Sequence, residues 1–127
     1  TDILVCLLPL TPATRGLLAR PLFEKLARDG ALGGPVLING GRGGLQVEGD
    51  IDHALADGTL IGASLDVFVE EPLPASSPLW AHDRLILTPH VAAYSSPREL
   101  TAQIMEHIAA HEAGRPLTGN VDRDAGY

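Results

Sequence analysis

At 127 residues the chain is long enough to bury a core but makes one domain at most. Apolar residues account for 45% of it, a fraction typical of globular proteins and too high for a disordered chain. The formal net charge of −7 argues against a surface that binds nucleic acid or an anionic membrane.

Cys6 is the only cysteine, and it lies within an apolar run. No internal disulfide can form, which favours a reducing, cytoplasmic location. We interpret Cys6 as a small buried side chain, and a reactive thiol is the alternative. No apolar stretch reaches the roughly 18 residues that a membrane span needs. The chain enters a strand at once without an initiating Met, so we expect it to be part of a longer protein.

The first predicted elements are a strand and a short helix. Residues 3–8 are continuously apolar, which is typical of a strand buried in a parallel sheet. Pro9 and Pro12 end that strand in a rigid loop, because proline cannot donate to the sheet. Pro21 suits the first turn of the following helix, and Gly30 is its expected end.

A second apolar run, residues 36–38, ends in Asn39 and leads into a glycine cluster that surrounds one arginine. The run does not alternate with polar residues, which predicts a central strand covered on both faces. Glycines just past a strand permit positive φ angles and let a ligand approach the backbone closely. Arg42 in that turn could bind a carboxylate through two hydrogen bonds, and a solvated arginine on an ordinary turn is the alternative.

Two more helices and two more strands follow. Apolar residues at helical spacing predict a helix over residues 47–55 that Gly58 ends. Residues 60–67 and 84–88 predict strands, and the proline-rich segment 72–78 between them predicts a surface loop. Ser96 and Glu99 indicate a capping box around Pro97 at the start of a helix that Gly114 ends. The tail, residues 117–127, is expected to be extended or partly ordered.

This order of elements predicts an α/β fold with a parallel sheet of about four strands and helices on its faces. In such sheets, ligands lie beyond the carboxyl ends of the strands. The residues that could bind a ligand or take part in a reaction come at or just after those ends: Pro9, Arg42, Asp66, Glu71 and His90. Their shared edge indicates one site more strongly than any single residue does.

His90 is the main candidate for proton transfer, because an unperturbed imidazole titrates near neutral pH. Glu71 could orient the imidazole ring and favour its protonated form. Asp66, at the end of an apolar strand, needs a ligand amide or a backbone N–H as partner if it is buried. A structural histidine and an exposed acidic loop are the alternatives. No pair of histidines has metal-ligand spacing, so we predict no metal.

Four sequence blocks occur in order: LLPLTPAT at 7–14, INGGRG at 38–43, LDVFVEEPLP at 65–74 and LTPH at 87–90. Together they resemble the D-isomer-specific 2-hydroxyacid dehydrogenases, particularly their glyoxylate/hydroxypyruvate reductase branch. The likeness extends to residues 121–127. It implies a cytoplasmic, homodimeric enzyme that uses NADP or NAD to reduce small 2-oxoacids to D-2-hydroxyacids.

The resemblance also implies a role for each matching residue. Arg42 would bind the substrate carboxylate and polarise the carbonyl, while His90 would donate the proton. Glu71 would orient His90 and keep it charged. Asp66 would bond to the nicotinamide carboxamide, and Thr14 would approach a phosphate. Further cofactor contacts would come from Leu8 and Pro9 and from the backbones of Gly40, Gly41 and Ala92.

By the same resemblance, residues 1–96 form the second half of a Rossmann-type NAD(P)-binding domain and residues 97–127 form a C-terminal helix and tail. Ala92 stands where many members have glycine. The glycine fingerprint for a pyrophosphate does not occur after a strand, and a substrate domain is missing. We therefore expect the chain alone to be inactive. A corepressor-like or otherwise non-catalytic dinucleotide-binding protein is the alternative function.

Overall fold

Four short strands form one parallel sheet in the computed structural model, which describes residues 1–124. The strands are β1 (Ile3–Cys6), β2 (Val36–Asn39), β3 (Gly62–Leu65) and β4 (Leu85–Leu87), and they lie in the order β1-β2-β3-β4. Cys6 pairs with Asn39, which pairs with Leu65, which pairs with Leu87. The carboxyl ends of all four strands therefore meet at one edge, and the predicted parallel α/β fold is confirmed.

The described residues form three helices: α1 (Arg20–Phe23), α2 (Glu48–Asp57) and α3 (Pro97–Glu112). Two single turns of 3₁₀-helix lie at Gly43–Leu45 and Pro78–Ala81. The chain forms one compact unit from Thr1 to Ala92 and a second that begins at Ala93. None of the helices that residues 1–124 form has the length and apolarity that a bilayer crossing needs.

One face of the sheet carries the core. Leu37 and Leu65 are fully buried there together with Phe23 of α1 and Ile51 and Leu55 of α2. Complete burial of each such side chain contributes roughly 1.5–3 kcal/mol to folding. These apolar residues, spread over both helices and two strands, give the first unit its stability.

The opposite face of the sheet is open, contrary to the predicted covering on both faces. Alternation along the strands places Ile3, Val5 and Ile86 on this face, and they are 50%, 53% and 64% exposed. The unbroken apolar runs reflect a surface that could be buried, but the first unit, residues 1–92, buries only one side of it. We refer to Ile3, Val5 and Ile86 as the open face.

The helix ends agree only in part with the sequence. Gly58 ends α2 at φ 79°, as predicted, but α1 stops at Phe23 and does not extend towards Gly30. After Phe23, which is fully buried, the chain continues in tighter turns that join residues three apart, so the helix is not propagated.

The start of α3 shows a second difference. Pro97 occupies the first turn as predicted, but the Ser96 side chain makes no capping hydrogen bond, so the capping box is wrong. Proline restricts the backbone of the residue before it, and Ser96 has φ −65° and ψ 122°. Gly114, at φ 65°, follows the end of the helix. Residues 125–127 of the predicted tail lie outside the described residues.

Candidate active site

The turn that carries Arg42 is packed tightly between neighbouring loops. A Cβ atom added to Gly41 would lie 2.8 Å from the carbonyl oxygen of Leu8, and one added to Gly43 would lie 1.8 Å from that of Phe68. The positive φ angles expected in this cluster do not occur. Glycine is needed here because the backbones approach closely.

Two buried amides support this turn from below. Asn39 is fully buried at the end of β2, and its Nδ2 donates to Oε1 of Gln46 at 2.8 Å. Its Oδ1 accepts from the Gly41 N–H at 3.0 Å, and Nε2 of Gln46 donates to the Val67 carbonyl at 2.9 Å. Sequence reasoning missed Gln46. The available signal was a pair of amides that flank a glycine cluster within apolar surroundings.

The Arg42 side chain itself is exposed at the carboxyl edge. Its Nη1 donates to the Gly41 carbonyl oxygen at 2.7 Å. Within residues 1–124 the guanidinium makes no other hydrogen bond and no ion pair, so its remaining donors can reach an anion.

His90 and Glu71 form a hydrogen-bonded pair at the same edge, after β4 and β3. Nδ1 of His90 lies 2.8 Å from Oε2 of Glu71, and the side chains are 48% and 36% exposed. Oε1 of Glu71 accepts from the Phe68 N–H at 2.9 Å. The His90 hydrogen bond, followed by the Phe68 N–H, lowers the pKa of Glu71. This carboxylate fixes the imidazole orientation and leaves Nε2 of His90 for a ligand.

Asp66 fastens the loop that carries His90. Its Oδ1 accepts from the Thr88 hydroxyl at 2.5 Å and the Val91 N–H at 2.9 Å, and its Oδ2 accepts from the Ala92 N–H at 2.8 Å. Burial raises the pKa of Asp66, but these three hydrogen bonds outweigh burial, and the pKa is lowered. A carboxylate offers about four acceptor positions, so Oδ2 keeps one for a ligand N–H.

The backbone of His90 is held in an uncommon conformation. Its φ of 55° lies in the left-handed region, where residues other than glycine are rare. The His90 N–H donates to the Asp66 carbonyl oxygen at 2.8 Å. Asp66 therefore holds this loop through both its backbone and its side chain. The hydrogen bond from the Thr88 hydroxyl to Asp66 was not predicted from the sequence.

The other predicted cofactor residues surround the Arg42 turn on its β1 side. A Cβ atom on Gly40 would lie 3.2 Å from the Leu7 side chain and 3.6 Å from that of Ala92, so the Gly40 backbone lies close to both side chains. Leu8 is 43% exposed next to Gly41. The structure thus brings Leu8, Gly40, Gly41 and Ala92 to one side of the edge.

Thr14 is engaged within its own loop. Its hydroxyl donates to the Pro9 carbonyl oxygen at 2.7 Å and accepts from the Thr11 N–H at 2.8 Å. These contacts fix the shape of the loop after β1. Because both hydrogen bonds of the hydroxyl lie within the loop, the loop would already have its shape when a phosphate binds.

A cleft of about 520 Å³ lies beside the histidine–glutamate pair. Its lining is largely apolar and includes Phe68, Leu73 and Trp80, with His90 and Glu71 forming a polar wall.

Elsewhere, Nε2 of His82 lies 2.7 Å from Oδ1 of Asp52, a contact between the end of the second 3₁₀ turn and α2. Among residues 1–124 there is no cluster of three or more His, Cys, Asp or Glu side chains placed to hold a metal ion.

Comparison with known proteins gives a consistent picture. The family model described as "D-isomer specific 2-hydroxyacid dehydrogenase, NAD binding domain" matches residues 1–92. Glyoxylate/hydroxypyruvate reductase A from Escherichia fergusonii is 49% identical over all 127 residues, and that of Klebsiella pneumoniae subsp. pneumoniae is 45% identical. The chain spans 39% of the length of each of these relatives.

Solved structures show the same similarity. A probable 2-hydroxyacid dehydrogenase from Rhizobium etli, in complex with NADP, HEPES and L(+)-tartaric acid, is 55% identical with a TM-score of 0.93. The NADPH-dependent glyoxylate/hydroxypyruvate reductase of Sinorhizobium meliloti, in complex with NADP and sulfate, is 54% identical with a TM-score of 0.96. Each match covers 100% of this chain and 40% of the other.

Proposed function

The chain belongs to the D-isomer-specific 2-hydroxyacid dehydrogenase family, and from this membership we propose that it forms part of an NAD(P)-dependent reductase of small 2-oxoacids. Glyoxylate and hydroxypyruvate are the proposed substrates, and D-2-hydroxyacids are the products. The hydrogen bond between His90 and Glu71, at the same edge as the exposed Arg42, is the observation that supports this proposal most.

Arg42 has the properties that a 2-oxoacid requires of its binding residue. The substrate carries a fixed negative charge, and the guanidinium can offer it two parallel hydrogen bonds. Charge also develops on the carbonyl oxygen during reduction, and a cation already in place stabilises that charge without reorganisation. In the proposed role, Arg42 binds the carboxylate and polarises the neighbouring carbonyl.

His90 is the proposed general acid. With Nδ1 bonded to Glu71, the ring presents Nε2, which can deliver a proton to the carbonyl oxygen as it becomes an alkoxide. Glu71 stabilises the charged ring and limits its rotation. In the reverse reaction, the same nitrogen would accept the proton from the hydroxyl group.

The predicted cofactor residues fit a nicotinamide dinucleotide. The nearly buried Asp66 keeps one acceptor position for an amide N–H, and a side chain at residue 40 or 41 would crowd Leu7 or Leu8. Bound there, the nicotinamide supplies the hydride. The proposed contacts are Leu8, Pro9, Thr14, Gly40, Gly41, Asp66 and Ala92. Relatives solved with NADP support NADP over NAD.

We propose further that residues 1–96 are the second half of the nucleotide-binding domain and residues 97–127 a helix and tail, within a protein of the relatives' length. The remaining length would supply the glycine fingerprint and the substrate domain. A cytoplasmic homodimer is part of the same proposal. The chain by itself is then expected to turn over no substrate.

The test uses a protein of the relatives' length that contains this chain. We expect NADPH oxidation with glyoxylate and with hydroxypyruvate, and none by residues 1–127 alone. His90→Ala and Arg42→Ala should each lower kcat/KM by at least about 100-fold while cofactor affinity is retained. A bound cofactor that stays reduced when hydroxypyruvate is added would favour the non-catalytic alternative and contradict the proposal.

A further inference from the structure

We propose that Gln46 is a positioning residue for Arg42, which it holds through the buried amide of Asn39. The inference rests on the proposed function, in which Arg42 binds the substrate carboxylate. Neither amide touches the edge where ligands would lie, because Asn39 is fully buried and Gln46 is 3% exposed. Their effect on a ligand must therefore pass through the backbone of the turn.

Asn39 holds the backbone on both sides of Arg42. Its Oδ1 accepts from the Gly41 N–H at 3.0 Å, and its Nδ2 reaches the Arg42 carbonyl oxygen at 3.3 Å. The same Nδ2 donates to Oε1 of Gln46 at 2.8 Å, which is its shortest contact. Gln46 thereby fixes the rotation of the Asn39 amide and decides which atoms face the turn.

The other end of Gln46 reaches the segment that leads to Glu71. Its Nε2 donates to the Val67 carbonyl oxygen at 2.9 Å, two residues beyond β3. Nearby, Oε1 of Glu48 accepts from the Val69 N–H at 2.8 Å. Gln46 therefore links the Arg42 turn to the segment that carries Glu71, the carboxylate partner of His90.

Arg42 depends on this support because its own side chain makes few contacts that would hold it in place. Among the residues that the structure describes, a single hydrogen bond, to the Gly41 carbonyl oxygen, holds the guanidinium, and the side chain is otherwise exposed. Its direction is consequently set by the backbone at residues 41–43. If the Asn39 amide lost its buried partner, it could rotate, and both backbone contacts beside Arg42 would weaken.

The first test measures amide hydrogen exchange in the 127-residue chain by NMR. Gln46→Met preserves the length of the side chain but removes its hydrogen bonds to Asn39, Val67 and Glu48. We expect Gly41 to exchange at least about tenfold faster, because its N–H relies on Asn39. Thr59→Val is the matched control: Thr59 is also nearly buried, but it lies past the far end of α2 and should leave Gly41 unchanged.

Should Gln46→Met fail to fold, Gln46→Leu serves the same comparison, because it also removes the acceptor for Asn39 and the donor to Val67. Unchanged Gly41 exchange in a folded variant at position 46 would overturn the proposal. This readout needs no activity, so it holds even if the proposed function is wrong.

The second test is a double-mutant cycle in a protein of the relatives' length, read as the inhibition constant of oxamate, a carboxylate analogue of a 2-oxoacid. Gln46→Met should weaken oxamate on the order of tenfold when Arg42 is present, since displacement of a binding group by about 1 Å has large effects. In an Arg42→Met background the same change should cost less than about twofold. Equal losses in both backgrounds would mean that Gln46 is merely structural.

Discussion

At the scale of single residues, residue type and position after a strand suggested the candidate residues, but the sequence did not reveal which contacts support them. Arg42, Glu71 and His90 were predicted to share a site because each comes after a strand end, and the structure places all three at the carboxyl edge of the sheet. The supporting contacts could not be predicted in this way. Thr88 meets Asp66 across 22 residues of sequence, and such a pairing depends on strand register that no local pattern encodes.

The carboxylates at this edge should make stability depend on acid. The pKa values of Asp66 and Glu71 are both lowered in the folded chain, below unfolded values of about 3.9 and about 4.3. The unfolded state therefore binds more protons, and the stabilisation present above these unfolded values is lost as pH falls through the lowered ones. Denaturant titrations should give a smaller free energy of unfolding at about pH 3 than at about pH 6.

Glu71→Gln provides the control for this pH dependence, because it keeps the shape of the side chain and removes its titration. The difference in free energy of unfolding between the two pH values should shrink in this variant, although Asp66 still contributes. A variant with the same pH dependence as the parent would show that Glu71 is not a source of it.

At the scale of elements, periodicity predicted the long helices and failed for the short one. α2 and α3 have repeated apolar positions and clear glycine ends, whereas α1 has four residues and is held by the burial of Phe23. A helix that short is decided by tertiary packing, because its own hydrogen bonds cannot offset the cost of nucleation. The missing capping bond at Ser96 likewise depends on backbone angles that a sequence motif does not fix.

Packing between loops makes the identity of residue 43 critical. Gly43→Ala would place a Cβ 1.8 Å from the Phe68 carbonyl oxygen, and rigid backbone on both sides cannot yield cheaply. We expect a loss of about 3 kcal/mol in the free energy of unfolding, measured with urea. Gly49→Ala, in the first turn of α2 with open space around it, should be neutral or stabilise by up to about 0.5 kcal/mol. Similar losses in both variants would contradict this account.

At the scale of the whole molecule, the sheet is a surface as well as a scaffold. The apolar runs predicted its parallel strands, yet they could not reveal that the first unit, residues 1–92, would cover one face only. An apolar strand looks the same in sequence whether its second face is covered by its own chain or by something else. The open face, Ile3, Val5 and Ile86, therefore gives the chain an exposed apolar surface that its composition does not suggest.

We expect the 127-residue chain to self-associate as its concentration rises, because exposed apolar patches of this kind favour contact. Val5→Lys and Ile86→Lys should each shift sedimentation towards the monomer while the circular dichroism spectrum is retained. Val47→Lys is a suitable control, since Val47 is also exposed but precedes α2 and does not belong to the open face. An equal shift with Val47→Lys would indicate a general effect of charge.

The left-handed backbone of His90 has one more consequence. An L-residue with a Cβ is disfavoured at φ 55°, so the chain gives up folding free energy to aim this ring. At most positions outside turns, alanine stabilises a protein more than glycine does. At position 90 the order should reverse, with His90→Gly more stable than His90→Ala by about 1 kcal/mol. Histidine at this position therefore lowers stability, which agrees with the proposed role of His90 as general acid.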